Sequence, residues 1–222
     1  MEDDPDRQPG RAVSEEERQR VLEQLQQLAE MGEEKMSLTD PEARFLRTQQ
    51  GYELGYTGEI AVSQDHFIVA QRVTQNKTDN ASLLPMVEEV ERPCRERPRR
   101  VLADSGFFSA ENLQQLEERA IDGYVPNSNL ASELNGKRRA EELDRGPVRQ
   151  EGMQRMRQKL RSAAGRQRYQ RRKELVEPRM GCLKEHGGMR QFQRRGLLLV
   201  AVEFTLANIV LNLKRWYRVR LG

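Results

Sequence analysis

The chain has 222 residues, of which 33% are charged and only 5% aromatic, so it can bury only a modest core. Two cysteines and two histidines are too few for a disulfide framework or for a zinc site. The first residues lack the basic and apolar segments of a signal peptide, and we expect a cytoplasmic protein of one compact domain plus a tail.

The N-terminal part is polar and acidic on balance, and residues 1–10 are predicted to be disordered. Residues 13–31 predict an amphipathic helix, with Ser14 as its cap and Glu17 completing a capping box. Its apolar stripe is typical of a self-associating or loosely docked helix. Residues 37–44 are expected to form a turn that opens a short helical piece, in which Asp40 is a turn or cap residue rather than a metal ligand. We assign residues 1–50 to this linker region.

The clearest β signal lies in residues 52–74, where two apolar segments flank the polar turn 63–66 and predict a hairpin. Residues 79–90 predict a helical piece, with Pro85 tolerable only near its first turn. A short strand at 101–103 then leads into Asp104, at the kind of strand end where open α/β sheets place ligands. Ser109 is expected to cap the next helix, 109–119, and 121–125 is predicted as a further strand.

The region 137–195 is dense in arginine, which indicates a polyanionic partner, most commonly nucleic acid. A solvated basic surface is the plainer interpretation. Residues 127–149 are predicted as a mobile polar insertion, and 150–173 as a basic helical region. Because Pro178 follows Glu177, either the helix kinks at Glu177 or a new helix begins with Pro178.

The apolar run 197–213 is interrupted by Glu203, Asn208 and Asn212. It is slightly short and too polar at its middle for a membrane span, so we predict a buried or half-buried core helix over 197–215. No membrane partner is expected.

From about residue 37 to 213 the chain resembles the catalytic domain of bacterial insertion-sequence transposases of the DDE type. Any one of the motifs that carry this resemblance is weak, but their order and spacing together are specific. These are Thr39-Asp40-Pro41-Glu42-Ala43-Arg44, Gly55 to Val62, Ala103-Asp104-Ser105-Gly106-Phe107, then Tyr169, Arg172, Glu177 and Lys184, and the run Phe192 to Leu197.

The resemblance implies an RNase H-like α/β fold, with a mixed sheet, flanking helices and an added N-terminal helix. In that family three carboxylates hold two Mg²⁺ or Mn²⁺ ions for DNA cleavage and strand transfer. Asp104 matches the second acid and Glu177 the third, so both are candidate catalytic and metal-binding residues that should face each other. The basic signature is expected either to contact DNA phosphates or to position Glu177. The candidate DNA-binding residues are Tyr169, Arg172, Lys173, Lys184, Arg190, Arg194 and Arg195.

One departure from the family pattern stands out, because the first acid normally ends the first strand and no apolar strand ending in Asp precedes Tyr52. We therefore expect a partial catalytic domain over 51–216 that lacks its first strand. Such a chain should be poorly stable and inactive alone, with the 52–74 hairpin either detached or paired with the Asp104 strand. The alternative is a non-catalytic DNA-binding or interaction protein derived from a transposase. The expected partners are transposon-end and target DNA in the bacterial nucleoid, and self-association stays open.

Overall fold

A computed structural model describes residues 14–31, 36–48, 51–76, 78–136 and 151–221. The described chain combines helices with short strands, as expected for a mixed α/β chain. The helices are α1 (Glu15–Met31), α2 (Leu83–Cys94), α3 (Ala110–Glu118), α4 (Ser128–Leu134), α5 (Glu151–Arg161), α6 (Ala163–His186) and α7 (Leu197–Leu221). The strands are β1 (Arg44–Thr48), β2 (Gly51–Gly55), β3 (Thr57–Val62), β4 (Ile68–Thr74), β5 (Arg100–Leu102) and β6 (Asp122–Tyr124). Two 3₁₀ turns, Asp79–Ser82 and Ser105–Phe107, precede α2 and α3.

The six described strands form three separate two-stranded sheets rather than one mixed sheet. β1 and β2 pair antiparallel, β3 and β4 pair antiparallel with a bulge at Ala61 and Val62, and β5 and β6 pair parallel. The hairpin predicted at 52–74 is confirmed as the β3–β4 ribbon. It is not hydrogen-bonded to β5, and helices α2 and α7 pack against it instead.

The prediction of a short helical piece around residues 37–44 is wrong, because the chain makes a turn there and then continues as strand β1. The Ala43 amide donates to the Asp40 carbonyl at 3.1 Å, and the extended chain from Arg44 then pairs with Gly55 at the start of the β1–β2 hairpin. Pairing with β2 satisfies backbone groups that a short helix would have left without partners. The hairpin also crosses the boundary expected at residue 50.

The main core is formed where α2, α3, α5 and α6 enclose the β5–β6 pair. Its most buried members include Leu116, Val125 and Leu160. A second cluster lies between the β3–β4 ribbon, α6 and α7, with Leu183 and Phe204 at its centre. Tyr169, in the first part of α6, belongs to the main core, and Leu183, near the end of α6, belongs to the second cluster. This helix therefore joins strand pairs that are not hydrogen-bonded to each other.

Helix α6 runs continuously through Pro178. The alternative prediction, a new helix that begins at this proline, is therefore wrong. The helix starts at Ser162, whose hydroxyl accepts the Gly165 amide at 3.0 Å. A side chain at Gly165 would meet the Lys159 carbonyl oxygen at 1.9 Å, so only glycine allows α5 and α6 to join this closely.

Most of the insertion predicted at 127–149 lies outside the described residues, as do residues 1–10. Its first part is not a loop but helix α4, which buries Leu130 and Ala131. Asn127 caps this helix by accepting the Leu130 amide at 2.8 Å. The cap and the buried leucine explain why a polar segment folds here.

Helix α7 is half-buried, as predicted. Val200, Phe204, Asn208 and Leu211 face the protein, whereas many apolar side chains of the opposite face are exposed. The expectation that this segment is too short and too polar for a membrane span is not met: by length and composition α7 is the one helix of the described chain that could cross a membrane.

The capping box of α1 is confirmed, since Ser14 and Glu17 exchange hydrogen bonds of 2.9 and 3.2 Å. Its apolar residues Val21, Leu22 and Leu25 are exposed.

Candidate active site

Asp104 lies where β5 ends beside β6. The amide of the preceding Ala103 donates to the Tyr124 carbonyl at 3.1 Å, which extends the strand pairing to the residue before the carboxylate. Asp104 then caps the 3₁₀ turn, because its Oδ1 accepts the Ser105 amide at 2.7 Å. The side chain is 52% exposed. The carboxylate is therefore held by the backbone and still open to a ligand.

Helix α6 brings two residues of the predicted signature to Asp104. Arg172 Nη1 lies 3.7 Å from Asp104 Oδ2, and the Arg172 guanidinium is 5.8 Å from the centre of the Tyr169 ring. Tyr169 is only 2% exposed, and burial is the main reason that its pKa is raised. The positive charge of Arg172 lowers this pKa and the negative charge of Asp104 raises it further, which places the phenol beside both groups. Two motifs far apart in sequence therefore meet.

Asp79 is a second carboxylate at this place, and the sequence analysis did not identify it. Burial raises the pKa of Asp79, and the charge of Asp104 raises it further. The Asp79 carboxylate also lies directly over Gly106, where a Cβ atom would come within 2.3 Å of Asp79 Oδ2. In the sequence Asp79 looks like an ordinary acid in the first turn of a helix, and only tertiary packing of the two 3₁₀ turns sets it beside Asp104.

Behind Asp79, Glu59 of β3 stands opposite Arg72 of β4 in the antiparallel ribbon. Burial raises the pKa of Glu59, the Ser82 hydroxyl and Arg72 lower it, and Asp79 raises it. Neither carboxylate oxygen makes a hydrogen bond of normal geometry within the described chain, although Ser82 and Arg72 are near. Glu59 is therefore a half-buried acid next to the site, whose enclosed carboxylate oxygens are poorly satisfied.

Glu177 lies exposed on α6, a little over one helical turn beyond Arg172. Among the described residues it has no hydrogen bond or ion pair, and the ion-pair partner of Asp104 is Arg172 rather than any group near Glu177. That the Asp104 and Glu177 carboxylates face each other therefore stays a prediction.

The described residues contain no group of three or more His, Cys, Asp or Glu side chains that could hold a metal ion. A site of three carboxylates and two metals does not fit the side chains that the structure brings together. Asp104 and Asp79 supply two carboxylates beside the residues of the transposase signature.

The candidate DNA-binding residues differ in exposure. The burial of Tyr169 does not fit direct contact with DNA, and Arg172 is only 14% exposed and paired with Asp104. Arg190 is bound to Glu185 at 2.5 Å. Lys173 is half-buried, and the remaining candidates, Lys184, Arg194 and Arg195, are exposed.

Some cations of the arginine-rich region form ion pairs with acids of the same chain. Arg155 pairs with Glu117 and Glu151, each at 2.8 Å, and Lys159 pairs with Asp122 at 2.6 Å. These ion pairs connect α5 to α3 and β6, so fewer cations of α5 are available to phosphates than the composition suggests.

Comparison with protein families matches residues 39–213 to the family described as "Transposase DDE domain". The chain belongs to the DDE transposase family. The match spans β1 to α7 and includes the whole candidate site, whereas α1 lies outside it. Comparison with curated proteins and with solved structures gave no significant match. For this DDE transposase family member, residue roles must therefore be argued from its own geometry.

Proposed function

We propose that the chain acts on DNA as part of an insertion-sequence transposase, in phosphodiester cleavage and strand transfer. The observation that carries this proposal is the ion pair between Arg172 and Asp104 at 3.7 Å, with Tyr169 beside it. It joins the helix that bears the transposase signature to the strand end that bears the acid. Asp104 and Glu177 are the proposed acids, and the setting is the bacterial cytoplasm, on nucleoid DNA.

The protein groups can be given definite tasks. The Ser105 amide keeps the Asp104 carboxylate in one orientation, and Arg172 offsets its charge from the buried side. The exposed cations Lys184, Arg194 and Arg195 are suited to phosphate contacts, which hold DNA without reading its sequence. Mg²⁺ or Mn²⁺ is the proposed cofactor. Because the described residues form no group of three acids, we assign it no step.

A second function is favoured by that same absence of a three-acid group in the described chain. A protein that keeps the DNA-facing surface without completing the acid set would bind DNA and not cut it. We propose that the chain by itself behaves in this way, and that a strand ending in another acid, supplied in cis or in trans, is needed for cleavage.

The test is nicking of supercoiled plasmid DNA in the presence of Mg²⁺ or Mn²⁺. We expect the chain alone to bind the plasmid without nicking it, and a longer chain that adds a strand ending in such an acid to nick it. In that longer chain Asp104→Asn should abolish nicking, whereas Glu111→Gln, a change of an exposed acid on α3, should not. Nicking by the short chain that is lost with Asp104→Asn would contradict the non-catalytic alternative. A longer chain that binds DNA and never nicks it would contradict the catalytic proposal.

A further inference from the structure

We propose that Asp79 and Asp104 together bind one divalent cation, so that Asp79 is a metal ligand. No motif of the sequence analysis identifies Asp79 as a ligand, and the family match by itself assigns no residue. The use of this cation in a DNA reaction rests on the proposed function, but the site itself is argued from the side chains around it.

The two carboxylates are held together by the packing of two 3₁₀ turns. Asp79 begins one turn, and Asp104 caps the other, Ser105–Phe107. The absence of a side chain at Gly106 lets the Asp79 carboxylate come close to the second turn, where a Cβ would lie 2.3 Å from Oδ2. Asp79 makes no hydrogen bond or ion pair with the described chain, and the turn that it begins is in contact with the turn that Asp104 caps. Two close, like charges of this kind favour a cation shared between them.

An independent observation points to a ligand at the same place. Tyr169 is 2% exposed, and its ring lies beside the Arg172 guanidinium that pairs with Asp104. Its hydroxyl has no hydrogen-bond partner of normal geometry in the described chain. Buried hydroxyls are nearly always paired, because an unpaired one is unfavourable. A water or phosphate oxygen brought to the site by a cation would give this hydroxyl its acceptor.

The donor set selects the class of cation. Two aspartates offer only oxygen ligands, which suit Mg²⁺ or Mn²⁺ rather than the metals that prefer sulfur or imidazole. Mg²⁺ is commonly held by one or two carboxylates, with waters and substrate phosphates completing its shell. Glu59 faces Arg72 and Ser82 behind Asp79, so we do not count it as a ligand. Arg172, at 3.7 Å, is too far from Asp104 to occupy that carboxylate fully.

The experiment is an Mn²⁺ titration of the purified full chain without DNA, followed by the electron paramagnetic resonance signal of free Mn²⁺. We expect one bound Mn²⁺ for the wild type, displaced by Mg²⁺. Asp79→Asn and Asp104→Asn should each weaken Mn²⁺ binding by about tenfold or more, since even changes outside the ligand shell weaken metal sites by that factor. Glu111→Gln, a matched removal of an exposed acid, should leave the affinity unchanged.

Gly106→Ala provides a second variant that removes no acid. The added methyl group must displace the Asp79 carboxylate, so Mn²⁺ affinity should again fall while far-ultraviolet circular dichroism shows a folded chain. Wild-type Mn²⁺ affinity in Asp79→Asn, or no Mn²⁺ binding by the wild type, would overturn the proposal. So would loss of the Mn²⁺ with Glu177→Gln and not with Asp79→Asn, because the cation would then lie between Asp104 and Glu177.

Duplex binding, measured in parallel, separates this proposal from the proposed function. A wild type that binds Mn²⁺ through Asp79 but does not bind DNA keeps the cation site and refutes the DNA function. A wild type that binds DNA, with an Asp79→Asn variant that retains Mn²⁺, refutes the cation site and leaves the DNA function standing.

Discussion

Replacing Lys184, Arg194 and Arg195 by glutamine should make DNA binding markedly less dependent on salt. These three cations are exposed, and their side chains form no ion pair with the described part of the chain. They lie at the end of α6 and in the segment leading to α7, so one duplex could contact them together. Each phosphate contact of a protein on B-DNA contributes about −0.9 to the slope of log K against log salt concentration.

Three lost contacts should therefore make the slope less negative by about 2.7. Between about 50 and 200 mM salt, one contact changes the binding constant by roughly 3.5-fold, and three contacts by roughly 40-fold. The wild type should lose that much more affinity than the triple variant over this range. Because phosphates carry no sequence information, two unrelated duplexes of equal length should give the same slopes.

Fluorescence anisotropy of a labelled duplex across this salt range measures both slopes. Arg155→Gln is the matched control, because Arg155 is also an exposed cation but is already paired with Glu117 and Glu151. Its removal should leave the slope unchanged. Equal slopes for wild type and triple variant would refute the assignment of these cations, and a wild-type affinity that hardly changes with salt would refute phosphate binding by the chain.

Tyr56 and Asp122 should make the stability of the fold depend on pH. Burial, together with the hydrogen bond to Asp40, raises the pKa of Tyr56, so its contribution to stability is complete below about pH 10 and is lost as the pH rises above that value. Tyr56→Phe should flatten this alkaline loss in thermal melts, and an unchanged alkaline profile would contradict it. Burial alone would raise the pKa of Asp122, but hydrogen bonds from Lys159 and Arg100 lower it overall. Stability from Asp122 should therefore be present above about pH 3.9 and fall under more acidic conditions, and acid titrations should show this loss in the wild type and not in Asp122→Asn.

Structural features that depend on a few neighbouring residues could be predicted from the sequence. The capping box of Ser14 and Glu17, the hairpin of β3 and β4, and the cap of α3 by Ser109 all depend on neighbours in the chain or on simple alternation. Asp104 at the end of β5 belongs to the same class, because a short apolar run followed by Asp-Ser-Gly is a local pattern.

Features made by tertiary contact were not predictable in this way. Asp79 joins the site only because two 3₁₀ turns pack together over Gly106. Arg155 and Lys159 are neutralised by acids from α3 and β6, which lie far from them in the sequence. The β1–β2 hairpin was missed because Arg44 to Thr48 lacks a β-branched run, and its pairing with β2 overrides that weak propensity.

Polar side chains of α7 hold this apolar helix against β4. The Asn212 side chain acts toward β4 as a neighbouring strand would, donating to the Ile68 carbonyl and accepting the Ile68 amide, both at 2.8 Å. Asn212→Leu would make α7 more apolar and leave both backbone groups of Ile68 unpaired. We therefore expect the free energy of unfolding, measured in urea, to fall by about 2–4 kcal/mol.

Leu213→Ala is the control, at a neighbouring side chain that is 58% exposed, and it should change the free energy of unfolding by no more than about 0.5 kcal/mol. If Asn212→Leu had as small an effect as Leu213→Ala, α7 would not depend on β4, and its apolar length would have to be explained by another environment, such as a membrane. A large loss confined to Asn212→Leu would identify α7 as a helix whose polar side chains complete the edge of the β3–β4 ribbon.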